Sequence, residues 1–127
     1  MLRSLLAVAT GLVVTMLLVL FTTLVASSFL GTPAGGATTA YLAANLVLSA
    51  LSAVVGGAVT AHLALHRKLE HVGALAAVLL LLGLSDLSEA VRTQPGWYPY
   101  VMLVLGPVGV LIGGGLAARR PSITPSN

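Results

Sequence analysis

Four long apolar stretches separated by short breaks constrain this chain more than any other feature, because nearly every charge falls at the end of a stretch. A bilayer core of roughly 30 Å takes about 20 apolar residues per helix, and runs of that kind read as membrane spans. The stretches predict helices over residues 5–30, 41–65, 72–91 and 101–118, followed by a short polar tail over 119–127. Composition agrees: 57% of the 127 residues are hydrophobic and only 7% are charged, with a mean hydropathy of +1.05. Globular chains carry about 25% charged residues to keep a wettable exterior, so most of this exterior must face lipid. The expected fold is all-α, an integral membrane antiparallel four-helix bundle in a single membrane domain over 1–127. Its length leaves no room for a nucleotide fold or a soluble catalytic module.

The first stretch follows Arg3, and Val25, Ala26 and Ser27 would pass for a signal-peptide cleavage site. The apolar region of a signal peptide is about 7–15 residues, well short of this run, so a retained first helix is the expectation. Gly31 to Ala37, with Pro33, Gly35 and Gly36 and no charge, form the first loop. His66, Arg67, Lys68, Leu69, Glu70 and His71 make a polar hairpin turn, and Pro95 with Gly96 closes the third helix.

Orientation follows from Lys and Arg, which stay on the cytoplasmic side during insertion. Four spans put both termini on one side together with the second turn. That side collects Arg3, Arg67, Lys68, Arg119 and Arg120, against Arg92 alone on the other, so both termini are expected in the cytoplasm. The opposite end carries Trp97, Tyr98 and Tyr100, expected as anchors in the headgroup layer. The net charge of +3 is no sign of nucleic-acid binding, because six basic residues spread along the chain make no phosphate-contacting surface. With no cysteine, disulfides, thiolate metal sites and thiol nucleophiles are excluded.

Lipid supplies no hydrophobic force between helices, so small residues that permit close backbone approach mark the contacts. In the second helix Ser49, Ser52, Gly56 and Thr60 recur at spacings of three and four, beside a stripe of Ala53, Gly57 and Ala61. Gly106, Gly109 and Gly113 repeat the pattern in the fourth helix, and Pro107 removes one backbone donor there. The second and fourth helices are therefore expected to touch. Both end in a glycine cluster followed by basic residues, a weak internal similarity between the two hairpins.

Three polar groups bear on chemistry. Asp86, Glu89 and Arg92 lie in the last turns of the third helix, where Arg92 is placed to pair with Glu89; they read as a solvated helix end or, at Asp86, as a functional carboxylate within the span. His62, His66, Glu70 and His71 cluster at the cytoplasmic end, but a His pair one turn apart fixes no third metal ligand, and no HExxH pattern exists. Nor does any spacing set two of these histidines face to face for a haem. Asn45, Ser49, Ser52 and Thr60 form a polar stripe that either packs across helices or, together with Asp86, lines a solute path. No nucleophile with its base, buried carboxylate pair or phosphate-binding glycine loop is present. No enzyme activity, cofactor or metal is expected.

Gly56, Gly57, Val59, Thr60 and Ala61 closing the second helix, His71 opening the third, and Trp97, Tyr98 and Pro99 before the fourth resemble a loose group of small bacterial four-span membrane proteins of uncharacterised activity. The resemblance implies topology and no activity. Small multidrug exporters place a carboxylate in the first helix, which has none here, and the phenylalanine pathway of fluoride channels is missing because Phe21 and Phe29 both fall in the first helix. The expected role is a noncatalytic multi-pass protein of the bacterial inner membrane, structural, accessory or partner-binding. Its partners would be the lipid bilayer and a second copy or another membrane protein, without nucleic acid. The alternative is a small transporter or channel subunit using Asp86 and the polar stripe.

Overall fold

The computed structural model describes residues 2–30, 38–64 and 66–119, so the expected first loop, Gly31 to Ala37, and the tail beyond Arg119 lie outside the described residues. Four helices, α1 (Leu2–Leu30), α2 (Thr39–Leu63), α3 (Lys68–Thr93) and α4 (Tyr98–Ala118), form an all-α bundle, and no strand occurs among the described residues. All four are long and apolar enough to cross a membrane. Large side chains such as Leu17, Phe21, Leu81 and Leu116 stand exposed on the outside. Lipid offers them the apolar surroundings that water would deny.

Several helix ends differ from the expected ones because polar residues start helices here. α3 begins at Lys68 rather than 72: Arg67 takes a left-handed backbone (φ 51°) that reverses the chain, and its guanidinium reaches forward to Glu70 at 3.2 Å. Glu70 then sits in the first turn, at the positive end of the helix dipole. α4 begins at Tyr98 with Pro99 in its first turn, where a missing N–H leaves no bond unmade. Thr38 caps α2, its Oγ1 accepting the N–H of Tyr41 at 3.3 Å.

A left-handed arginine costs about 1 kcal/mol relative to glycine, and an exposed ion pair returns only a few tenths of that. Arg67→Gly is therefore expected to raise the melting temperature of the detergent-solubilised protein slightly. A lower melting temperature would show that the turn depends on the arginine side chain.

Contacting residues give the helix directions. Gly11 and Thr15 of α1 meet Thr60 and Gly56 of α2, so these two run antiparallel; Gly83 meets Leu103 and Gly114 meets Val72, so α3 and α4 do as well. α2 and α4 run parallel and share the most extensive contact, as their small residues led one to expect. α1 flanks α2 and α3 flanks α4, with a looser α1–α3 side and no contact between α1 and α4 among the described residues.

The α2–α4 contact is reciprocal. A Cβ on Gly57 would collide with the backbone of Val110, and one on Gly113 with the backbone of Val54, while at Gly109 it would come within 2.9 Å of the Ala53 Cβ. The α1–α2 contact is reciprocal too: Gly11 faces the Thr60 hydroxyl and Gly56 the Thr15 hydroxyl. Each threonine bonds back to its own helix, Thr15 Oγ1 donating to the Gly11 carbonyl at 2.7 Å and Thr60 Oγ1 to that of Gly56 at 3.0 Å. Both hydroxyls are thereby satisfied without water although they face the glycines of the neighbouring helix.

These close approaches lie toward one end of the bundle. The buried cluster of Ala53, Ala61, Val72, Leu75, Ala76, Val110 and Ala117 fills that half, next to the turn carrying Arg67 and Lys68. The other half, toward Trp97 and the α3–α4 turn, is packed less tightly.

Candidate functional site

In the looser half the four helices surround a half-open cavity of ≈ 280 Å³, lined from Thr15 and Val19 of α1 through Asn45 and Ser49 of α2 to the inward faces of α3 and α4. α3 contributes Leu79, Gly83, Asp86, Leu87 and Ala90 along one helix face, and its C-cap Gln94 adds to them. α4 contributes Tyr98, Met102, Leu103, Gly106 and Pro107. The helix continues through Pro107, whose missing N–H leaves the Leu103 carbonyl without its usual donor beside the cavity.

Asn45 organises the polar side of this space. Its Oδ1 accepts from the Thr23 hydroxyl at 3.1 Å and its Nδ2 donates to the Tyr98 hydroxyl at 2.6 Å, which ties α1, α2 and α4 together. Tyr98 is 3% exposed, so it is no headgroup anchor: Asn45 draws its hydroxyl inward while Trp97 and Tyr100 stay exposed on the outer surface. The Trp97 and Tyr98 rings form a T-shaped pair, with 5.7 Å between ring centroids.

The expected polar stripe divides by depth. Asn45 and Ser49 line the cavity. Ser52 and Thr60 sit buried in the packed half, each bonded to a carbonyl of its own helix, Ser52 Oγ to Leu48 at 2.8 Å and Thr60 Oγ1 to Gly56. Ser49 is 6% exposed, and its Oγ alone among the described buried side-chain atoms has no hydrogen-bond partner.

An unpartnered buried hydroxyl costs about 1–3 kcal/mol, so without a bound molecule Ser49→Ala is expected to be neutral or mildly stabilising. A loss of more than about 1 kcal/mol in an unfolding titration would mean that a water or solute normally satisfies it.

Asp86 lies seven residues before the end of α3, about 10 Å below it along the axis. No basic group pairs with it among the described residues, where the one ion pair is Arg67–Glu70 at the far end of the molecule. The expected Glu89–Arg92 pair does not form; Asp86, Glu89 and Arg92 are all exposed, and of the three only Asp86 lines the cavity. No group of three metal-ligating side chains occurs among the described residues; the Nδ1 atoms of His62 and His71 instead lie 3.2 and 3.0 Å from carbonyls of their own helices.

The glycines divide in the same way as the polar residues. Gly56, Gly57, Gly109 and Gly113 stand at helix contacts, and Gly114, closing on Val72, joins them. At Gly106, expected on the contact face, a Cβ would meet nothing within 4 Å, because the space in front of it is the cavity. Sequence inspection did not single out Gly11, Thr15, Thr23 or Gln94. The one available signal was the Gly-x-x-x-Thr spacing shared by Gly11–Thr15 and Gly56–Thr60. Protein-family models, characterised proteins and solved structures give no match to this chain.

Proposed function

We propose that this chain is a noncatalytic multi-pass protein of the bacterial cytoplasmic membrane that admits a small solute into its interhelical cavity, as a small transporter or channel subunit. Both termini and the Arg67–Lys68 turn face the cytoplasm, and the cavity end faces outward. Five of the six basic residues support this orientation. The observation that carries the solute reading is the gathering of Asp86, Asn45, Ser49 and Tyr98 around one space inside the span. Asp86 is exposed at the cavity's open side, about two turns short of the end of α3, and ionisable groups within spans recur where solutes or ions pass.

An accessory role resting on self-association has less support. Gly57, Gly109 and Gly113, the residues suited to it, are occupied within the protomer. The packed half closes the cytoplasmic end, so passage requires α1 or α3 to shift against the α2–α4 pair. The looser α1–α3 side makes that movement the least costly.

The test is solute flux into proteoliposomes across a panel of cations, anions and neutral solutes. Flux in the native protein, reduced by about tenfold or more in Asp86→Asn, is the expected result. Absence of flux with every solute, or full flux in Asp86→Asn, would overturn the transport reading.

A further inference from the structure

We infer that the cavity selects a small organic cation, one positive charge on an apolar body, over anions, neutral solutes and bare metal ions. The inference rests on the solute-binding reading above and specifies its ligand. Among the described residues Asp86 is the only Asp, Glu, Lys, Arg or His in the cavity lining, so the lining offers one carboxyl group and no basic partner for it. Glu89 and Arg92, its nearest charged neighbours on α3, face elsewhere, and no charged residue of α1, α2 or α4 lines the cavity. Asp86 stands at the open side of the cavity, its side chain exposed, and a carboxylate at that mouth attracts a cation and repels an anion.

The remaining polar groups suit the same ligand. The Ser49 Oγ lacks a partner, and the Tyr98 hydroxyl oxygen and the Leu103 carbonyl left open by Pro107 add acceptors beside the cavity. A divalent ion takes about six oxygen ligands, including several carboxylates, and one carboxylate cannot supply them. The rest of the wall is apolar, with Val19, Leu79, Leu87, Met102 and Leu105 prominent. That wall suits a hydrocarbon body, and the Tyr98 ring and the Met102 thioether are soft, polarisable neighbours for an alkylammonium. At ≈ 280 Å³ the space is near the lower end for ligand pockets, which limits the body to a small one.

The test places a single thiol in the cavity. The chain has no cysteine, and Gly106 faces open space, so Gly106→Cys supplies a unique probe without a clash. Its reaction rates with two methanethiosulfonates of similar size, one ethyltrimethylammonium and one ethylsulfonate, are measured in detergent micelles and corrected for their rates with a free thiol. The cationic reagent is expected to react about tenfold faster or more, and Asp86→Asn to bring the two rates within about twofold. Benzyltrimethylammonium should protect the thiol, while its uncharged analogue neopentylbenzene should not.

Equal rates before the Asp86 change, or a cationic preference that survives it, would overturn the cation inference while leaving a solute cavity in place. No reaction with either reagent would overturn both, because the cavity would then be closed to solutes. Should Gly106→Cys fail to fold, Met102→Cys places the thiol on the same wall.

Discussion

Gly57→Leu and Gly113→Leu are each expected to abolish the folded bundle. The two glycines are the points where α2 and α4 come closest: the first added carbon at Gly57 collides with the Val110 backbone and that at Gly113 with the Val54 backbone. A flexible side chain could swing aside, but a backbone moves only with its helix. Relief therefore means separating the parallel pair on which α1 and α3 are hung. Overpacking a core against side chains costs about 1–3 kcal/mol, and against backbone at a helix crossing it should reach 3 kcal/mol or more. Much of the stability of a small bundle would be lost. Gel filtration in mild detergent and resistance to trypsin at the Arg67–Lys68 turn report the outcome. Gly57→Ala should show a weaker form of the same defect. A native elution profile for both leucine variants would mean that the α2–α4 pairing is not what holds the protein together.

The spans were legible in the sequence because hydropathy over 20 residues is a bulk property, insensitive to where any single side chain points. The α2–α4 contact was legible as well, since runs of Gly, Ala and Ser have one principal use between membrane helices. What sequence could not supply was depth. Asn45, Ser49, Ser52 and Thr60 lie on one face of α2, and a helical wheel treats them alike. The helices converge below Ser49 and part above it, so the lower pair is sealed into packing and the upper pair borders a void. Tyr98 failed for a related reason. As one of three aromatics near a helix start it reads as an anchor, yet it falls on the same face as Met102 and Leu105, whereas Trp97 and Tyr100 do not. Asn45, on another helix, then holds the hydroxyl of this inward-facing ring.

Gly106→Phe is expected to leave the fold intact and to stop the proposed transport, whereas a bulky residue at Gly113 two turns along the same helix disrupts the fold. Gly106 lies at the centre of the inward face of α4, between Met102 and Leu103 on one side and Gly109 and Val110 on the other, and its Cβ position is open to beyond 4 Å. A phenyl ring there enters the cavity and contacts apolar wall without displacing backbone. Replacing glycine by phenylalanine within a helix also recovers about half a kcal/mol of intrinsic propensity, so the melting temperature should hold or rise slightly. The ring takes the volume that the transport proposal assigns to a solute near Asp86, and on that proposal flux in proteoliposomes should fall about tenfold or more, with Asp86 untouched. Lost flux alone could come from a misfolded protein, so the paired measurement decides. Native stability with no flux assigns the void to solute passage, whereas native stability with normal flux would mean that the cavity is only a packing defect and that solutes take another route.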